Sequence, residues 1–266
     1  MKEKVLILGL SKSGIAAAKF ANKQGYDVFI TESKPLDKVK EECKSQVEEL
    51  KNLGIKIECG YHSDEFISGA KFAITSPGIP PKSEIFKRLN EKNTKIISEI
   101  EYAYLNTKIP FIAITGTNGK TTTTALVSHI LSKDFDAPVC GNIGVPPTSL
   151  IEGNHDFLVC EISSYQAQMT EKFKAKIACW TNFTPDHIDW HGGLENYFKA
   201  KAKIFLPPQE PEYAVLNAQD SRLKEFAKEC KNVVFFDDKK DCKIINNSIF
   251  YGEEEIISLS DCPLVG

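Results

Sequence analysis

Phe111-Ile112-Ala113-Ile114-Thr115 runs without a spacer into Gly116-Thr117-Asn118-Gly119-Lys120-Thr121-Thr122, and a chain with that junction has few folds open to it. The first segment is apolar and β-branched, as in a strand of a parallel sheet buried on both faces. The second is a small-residue loop ending in Gly-Lys-Thr, which reads as a phosphate-binding loop. In such a loop, backbone N–H groups and the N-terminus of the next helix receive phosphate oxygens. The Lys ammonium reaches the outer phosphates, and the Thr hydroxyl can ligate Mg²⁺. The spacing G-x-x-x-x-G-K-[ST] is not met, since its first glycine would fall at Ile114 and Gly116 stands two residues later. The variant T-G-T-N-G-K-T argues against an ordinary GTPase or ATPase motor. Ala125, Leu126, Val127, Ile130 and Leu131 carry the spacing of a helix packed on the sheet after the loop.

The rest of the chain supplies room and excludes several partners. At 266 residues and 42% hydrophobic it is long enough for two domains. A net charge of −3 with Lys and Glu interspersed argues against nucleic acid and membrane, so an anionic ligand must be held by local groups. Met1-Lys2-Glu3-Lys4 leads into the strand-like Val5-Leu6-Ile7-Leu8 rather than a signal peptide, and a cytoplasmic protein is expected. Cys43, Cys59, Cys140, Cys160, Cys179, Cys230, Cys242 and Cys262 include no C-x-x-C pair and read as reduced structural thiols.

Alternation of short apolar strands with helical stretches predicts an α/β protein with doubly wound parallel sheets. Strands are expected at 5–9, 28–31, 55–57, 72–75 and 95–97, with helices over 14–24, 36–53 and 83–92. This gives a first domain over 1–92. A second, over 93–266, has strands at 111–115, 157–161, 177–181 and 213–216 and a hairpin over 243–257. With no closing helix after that hairpin, the second domain is expected to be incomplete and the chain a fragment.

Gly9-Leu10-Ser11-Lys12-Ser13-Gly14 follows the first strand and departs from G-x-G-x-x-G at Ser11. A side chain there disfavours the usual dinucleotide pose, while the helix N-terminus remains an anion site. A diphosphate ligand and a plain strand-to-helix turn both fit, and Glu32 and Ser76-Pro77-Gly78 at neighbouring strand ends add polar groups to the same edge. In the second half, Glu161 closes a buried strand, where it can bind Mg²⁺ or cap the next helix. Asp186, His187 and Asp189 cluster after another strand, as metal or substrate ligands would. Phe198, Lys201, Ile204 and Phe205 stand i, i+3 and i+4 apart, which puts Lys201 in an apolar stripe while Lys199 and Lys203 face out. A partly buried lysine has a lowered pKa, and its neutral amine can react with CO₂ to give a carbamate.

Taken together with Ile79-Pro80, Ser98-Glu99-Ile100-Glu101, Gly141-Asn142-Ile143-Gly144, Ile162-Ser163-Ser164-Tyr165-Gln166 and residues 181–192, these motifs make the chain resemble a Mur ligase over about its first 205 residues. The resemblance is closest to the branch that adds D-glutamate to UDP-N-acetylmuramoyl-L-alanine. It implies a Rossmann-like UDP-sugar-binding domain, a P-loop ATP-binding domain, and a third domain, for the incoming amino acid, that is absent here. It implies a monomer using ATP and two Mg²⁺ ions through an acyl phosphate. Residues 116–122 would bind ATP, with Lys120 on its phosphates. Thr121 and Glu161 would hold one Mg²⁺, and His187 with a carbamylated Lys201 the other. Leu10, Ser11, Glu32, Ser33, Ser76 and Gly78 would surround the UDP moiety, and Asn142, Ser163 and Gln166 the muramoyl-alanyl end. The chain alone is then expected to bind the UDP-sugar and to turn over poorly. A P-loop ATPase, an NAD-linked oxidoreductase and a UDP-sugar-binding protein are the rival readings.

Overall fold

The computed structural model describes residues 2–238 and 241–261. Its first sheet holds β1 (Lys4–Leu8), β2 (Asp27–Glu32), β3 (Lys56–Cys59), β4 (Phe72–Thr75) and β5 (Lys95–Ser98), all parallel, in the order β3-β2-β1-β4-β5. Residues Val5, Leu6, Ile7 and Leu8 of the central strand are fully buried, because helices cover both faces. The order reverses between β1 and β4, which opens a crevice at their carboxyl ends, where parallel sheets bind ligands. The helix Lys12–Lys23 starts there, with the Ser11 side chain accepting from the Gly14 N–H. Gly14 lets that helix approach the strand: a Cβ at this position would stand 2.2 Å from the Gly9 carbonyl oxygen.

The second sheet holds β6 (Phe111–Thr115), β7 (Val139–Gly141), β8 (Leu158–Glu161), β9 (Ile177–Trp180), β10 (Tyr213–Asn217), β11 (Val233–Phe236), β12 (Cys242–Ile245), β13 (Ser248–Tyr251) and β14 (Glu254–Ser258). Their order is β14-β13-β12-β11-β10-β9-β6-β8-β7, parallel from β7 to β12 and antiparallel beyond. Every residue of β6 and β8 is buried, as their near-continuous apolar runs require.

The two sheets are stitched together by buried carboxylates on the helix Glu99–Leu105, which leaves β5. Glu99 accepts from the Thr148 N–H at 2.8 Å and from its hydroxyl at 2.6 Å. Glu101 accepts from the N–H groups of Glu171, Lys172 and Phe173 at 2.8 to 3.0 Å. The carboxyl edges of both sheets are thereby held around one cleft. No helix among the described residues is long and apolar enough to cross a membrane.

Four details differ from the sequence reading. The helix expected over 36–53 is three short pieces, Leu36–Lys38, Glu41–Lys44 and Val47–Asn52, since Val39 and Lys40 are extended. Beyond them, Ser45 Oγ and Gln46 Nε2 both donate to the Glu42 carbonyl and compete with the helical ladder. The hairpin over 243–257 is a three-stranded meander, because Asn246-Asn247 and Gly252 each supply positive φ for a turn. In the helix Lys120–Leu131 only part of the apolar stripe is covered: Val127 and Leu131 pack on β6 and β8, while Leu126 and Ile130 are exposed. Lys203 is half-buried with its ammonium on the Gln168 carbonyl, so of the three lysines only Lys199 faces out. The seven described cysteines are free, as expected, and Cys262 lies outside the described residues.

Candidate active site

The loop after β6 is held in shape by side chains from three directions. Gly116 has φ +151°, and a Cβ there would fall 1.9 Å from Thr181 Oγ1, so only glycine fits. Thr181 donates its hydroxyl to the Asn118 carbonyl at 2.7 Å. Asn182 accepts from the Asn118 N–H at 2.9 Å and donates to its carbonyl at 3.0 Å. Thr117 Oγ1 bonds the Thr184 carbonyl at 3.0 Å and the Tyr197 hydroxyl at 3.2 Å. Gly119, left-handed at φ +78°, turns the chain into the helix Lys120–Leu131. The Lys120 ammonium folds back onto the Thr117 carbonyl at 2.8 Å, while Thr121 and Thr122 are exposed at the helix start. A loop so fixed aims its N–H groups before any anion arrives.

Glu161 joins this loop to the cleft. Buried at the end of β8, it accepts from the Thr121 hydroxyl on one oxygen and from Asn142 Nδ2 on the other, both at 2.8 Å. Lys201, on the helix Leu194–Ala202, is 1% exposed and donates to the Gly116 carbonyl at 2.7 Å, with Tyr197's ring centroid 4.9 Å away. Burial, helped by the Lys120 charge, pulls its amine down to about 7.

His187 sits in the left-handed region at φ +49°, half-exposed, with Nε2 3.4 Å from Asp186 Oδ2. Its ring lies 5.1 Å from Tyr165 and 6.2 Å from Tyr197, so Tyr197 faces both His187 and Lys201. Asp189 is exposed. Among the described residues, no three His, Cys, Asp or Glu side chains converge as a preformed metal cluster.

On the first sheet, Ser11 Oγ meets Ser76 Oγ at 2.7 Å and Ser13 Oγ at 3.1 Å. Glu32 braces the same edge by accepting from the Leu10 and Lys34 N–H groups at 2.9 Å and from the Ser33 hydroxyl at 3.3 Å. A cleft of about 510 Å³ runs from Leu10, Ser11, Glu32, Ser33, Ser76 and Gly78 across to Asn142 and Gln166 at the second sheet. Ser163 stands apart from these: it caps the helix Ser164–Gln168, and its hydroxyl is engaged with Gln166.

Several participants come from far along the chain. Thr181, Asn182 and Tyr197 lie 60 to 80 residues beyond the loop that they hold. Only Asn182 and Thr181, at the end of an apolar strand, stand where a parallel sheet puts functional groups.

The sequence matches the family model for the Mur ligase middle domain over residues 114–260, and that for the MurD-like N-terminal domain over residues 3–98. It is 41% identical over 221 residues to the UDP-N-acetylmuramoylalanine--D-glutamate ligase of Thermoanaerobacter pseudethanolicus, covering 82% of this chain and 48% of the relative. The proteins of that name from Caldanaerobacter subterraneus and Streptococcus pyogenes are each 38% identical, over 100% and 99% of this chain and 60% and 59% of theirs. The chain thus spans about half to three-fifths of the length of these relatives. In fold it is similar to the solved UDP-N-acetylmuramate:L-alanyl-gamma-D-glutamyl-meso-diaminopimelate ligase from Neisseria meningitides, with TM-score 0.62 and 17% identity over 96% of this chain and 86% of that one. The UDP-N-acetylmuramate-alanine ligase of Thermotoga maritima aligns with TM-score 0.52 and 23% identity over 88% of this chain and 53% of that one.

Proposed function

Since the chain belongs to the Mur ligase family, we propose that the protein joins D-glutamate to UDP-N-acetylmuramoyl-L-alanine at the expense of ATP. The alanyl carboxylate takes the γ-phosphoryl group to become an acyl phosphate, and the D-glutamate amine then displaces phosphate through a tetrahedral intermediate. Residues 116–122 receive the ATP phosphates, with the Lys120 ammonium released from the Thr117 carbonyl onto the outer ones. Leu10, Ser11, Glu32, Ser33, Ser76 and Gly78 hold the UDP moiety, and Asn142 and Gln166 meet the muramoyl-alanyl end.

The donor set suits Mg²⁺ at one position. The Thr121 hydroxyl and Glu161 carboxylate are hard oxygen donors on adjoining elements, of the kind that Mg²⁺ takes. A bound Mg²⁺ supplies positive charge where a carboxylate and a polyphosphate repel. The second ion would be held by His187 and Lys201. A free amine that donates to Gly116 does not suit a cation, whereas a carbamate does. A lysine amine brought down to about 7 is substantially neutral at physiological pH, the form that attacks CO₂ with loss of one proton.

The observation that carries this reading is the continuity between the two half-sites. Asn142 lines the UDP-sugar cleft and bonds Glu161, which in turn bonds Thr121 of the phosphate loop. The reacting carboxylate and the γ-phosphate can meet at that point. Calorimetric titration of this chain with UDP-N-acetylmuramoyl-L-alanine tests it, with UDP-N-acetylglucosamine and NAD as controls. Selective binding of the muramoyl-alanyl compound is expected. Equal binding of both UDP-sugars would leave only a general UDP-sugar site, and binding of NAD alone would overturn the reading.

A further inference from the structure

Ser98-Glu99-Ile100-Glu101 has no task in the function proposed above. Its two carboxyl groups stand in the first turn of the helix Glu99–Leu105, where acids suit the positive helix end without leaving water. Yet Glu99 is only 3% exposed and Glu101 only 1%. Burying two such groups costs free energy that apolar residues would not, so their partners carry the explanation.

Residues two apart on a helix point away from one another, and the two side chains reach different segments of the second sheet. Glu99 uses one oxygen, Oε1, for both the N–H and the hydroxyl of Thr148. Thr148 lies in the loop that leaves β7, and Gly141, Asn142, Gly144 and Pro146 of that loop line the UDP-sugar cleft. Glu101 uses both oxygens: Oε1 accepts from the Lys172 N–H, and Oε2 from those of Glu171 and Phe173. That segment follows the helix Ser164–Gln168, which carries Gln166 into the same cleft. Between the two, the Ser98 N–H donates to the Met169 carbonyl at 3.2 Å. One helical turn, leaving β5 of the first sheet, thus pins both second-sheet walls of the cleft, while Glu99 and Glu101 themselves do not line it.

We propose that Glu99 and Glu101 are positioning residues for the UDP-sugar, setting from the first sheet where Asn142 and Gln166 stand. The inference rests on the UDP-sugar reading above and adds residues that do not touch the ligand. The phosphate loop depends on other groups, since Thr181, Asn182 and Tyr197 hold it. Loosening either carboxyl group should therefore weaken the UDP-sugar and spare the nucleotide. The two positions also differ in what they tolerate. An amide at Glu99 keeps the single oxygen that Thr148 needs. An amide at Glu101 sets its NH₂ group against a backbone N–H whichever way it turns, and leaves a buried donor unpaired.

Calorimetric titration of this chain with UDP-N-acetylmuramoyl-L-alanine and, separately, with the ATP analogue AMP-PNP in Mg²⁺ tests this. Glu99→Ala and Glu101→Gln should each weaken the UDP-sugar by at least about tenfold, and AMP-PNP by less than about twofold. Glu99→Gln should keep the UDP-sugar affinity within about twofold of the wild type. Thermal melts confirm that each variant is folded at the temperature of titration. Were Glu101→Gln to unfold, Glu99→Ala against Glu99→Gln still makes the comparison. Wild-type UDP-sugar affinity in folded Glu99→Ala, equal losses for both ligands, or equal losses in Glu99→Ala and Glu99→Gln would overturn the positioning role and leave the UDP-sugar reading standing. A wild-type chain that binds no UDP-sugar overturns both.

Discussion

The loops after β1 and after β6 do the same geometric task with different materials. Each carries the chain from a fully buried central strand into the N-terminus of a helix, at the carboxyl edge of a parallel sheet. After β1 the loop is held by hydroxyls, Ser11 on Ser76 and Ser13, around an open cleft. After β6 it is packed from behind by Thr181 and Tyr197, with buried Lys201 on Gly116 and buried Glu161 on Thr121. Hydroxyls at an open edge can exchange their partners for a ligand at little cost, which suits recognition. Buried ionisable groups cannot be left unpaired, so they hold a rigid frame, and burial lowers the proton affinity of Lys201, which suits chemistry.

The largest break between the two edges should come from adding one methyl group to each. Gly116→Ala forces a Cβ into Thr181, in a backbone region that L residues avoid, and displaces the hydroxyl bonded to Asn118. Strain and overpacking together should cost about 4 kcal/mol and abolish nucleotide binding. Gly78→Ala at the other edge has nothing within 4 Å of the new Cβ, and its backbone is not left-handed. It should change stability by less than about 0.5 kcal/mol. Urea unfolding of the two variants decides the matter, and equal losses would mean that the β6 loop is no more tightly packed than its counterpart.

A smaller effect follows from proton linkage at Lys201. Its folded-state pKa of about 7 lies below the roughly 10.4 of an unfolded lysine. Between these values the unfolded chain binds the extra proton, so stability rises with pH through that window. From pH 7 to 9 in CO₂-free buffer the gain should be roughly 2 kcal/mol. Lys201→Met should flatten it, as read from unfolding midpoints at each pH. A slope that persists in the variant would assign it to another group. In an enzyme preparation with ligase activity, Lys201→Ala should be inactive and recoverable with short-chain carboxylates, which only a carbamate role explains.

What the sequence disclosed follows the same division. The β6 loop was legible because its glycines, Lys120 and Thr121 are consecutive, and Lys201 because helical spacing alone places it among Phe198, Ile204 and Phe205. The parallel sheets followed from strand composition. The hydrogen-bond chain from Glu58 through Thr31 to His62 was not legible, since its members come from separate elements and each is an ordinary residue in its own segment. The broken helix over 36–53 escaped because its buried Val39, Cys43, Val47 and Leu50 keep helical spacing while side chains of Ser45 and Gln46 take the Glu42 carbonyl. Ser163 was assigned to substrate because it belongs to a motif, yet its side chain closes a capping box.

The smallest predicted effect uses a carboxyl at the junction between the two edges. Burial pushes Glu99 up to about 7 despite the two hydrogen bonds from Thr148, against roughly 4.3 in an unfolded chain. Between those values the folded state keeps a proton that the unfolded state has lost, so stability falls as pH rises through the window, opposite in sign to Lys201. From pH 5.5 to 7 the loss should be roughly 1.5 kcal/mol. Glu99→Gln keeps the acceptor for Thr148 and removes the titration, so its unfolding midpoint should not change over that range. With both groups present, stability should pass through a shallow minimum near pH 7. Glu99→Gln removes the descending side of that minimum, and Lys201→Met removes the ascending side. Should Glu99→Gln flatten the ascending side instead, the two buried groups would be coupled through the Thr148 loop and Glu161, and the two edges would act as one unit.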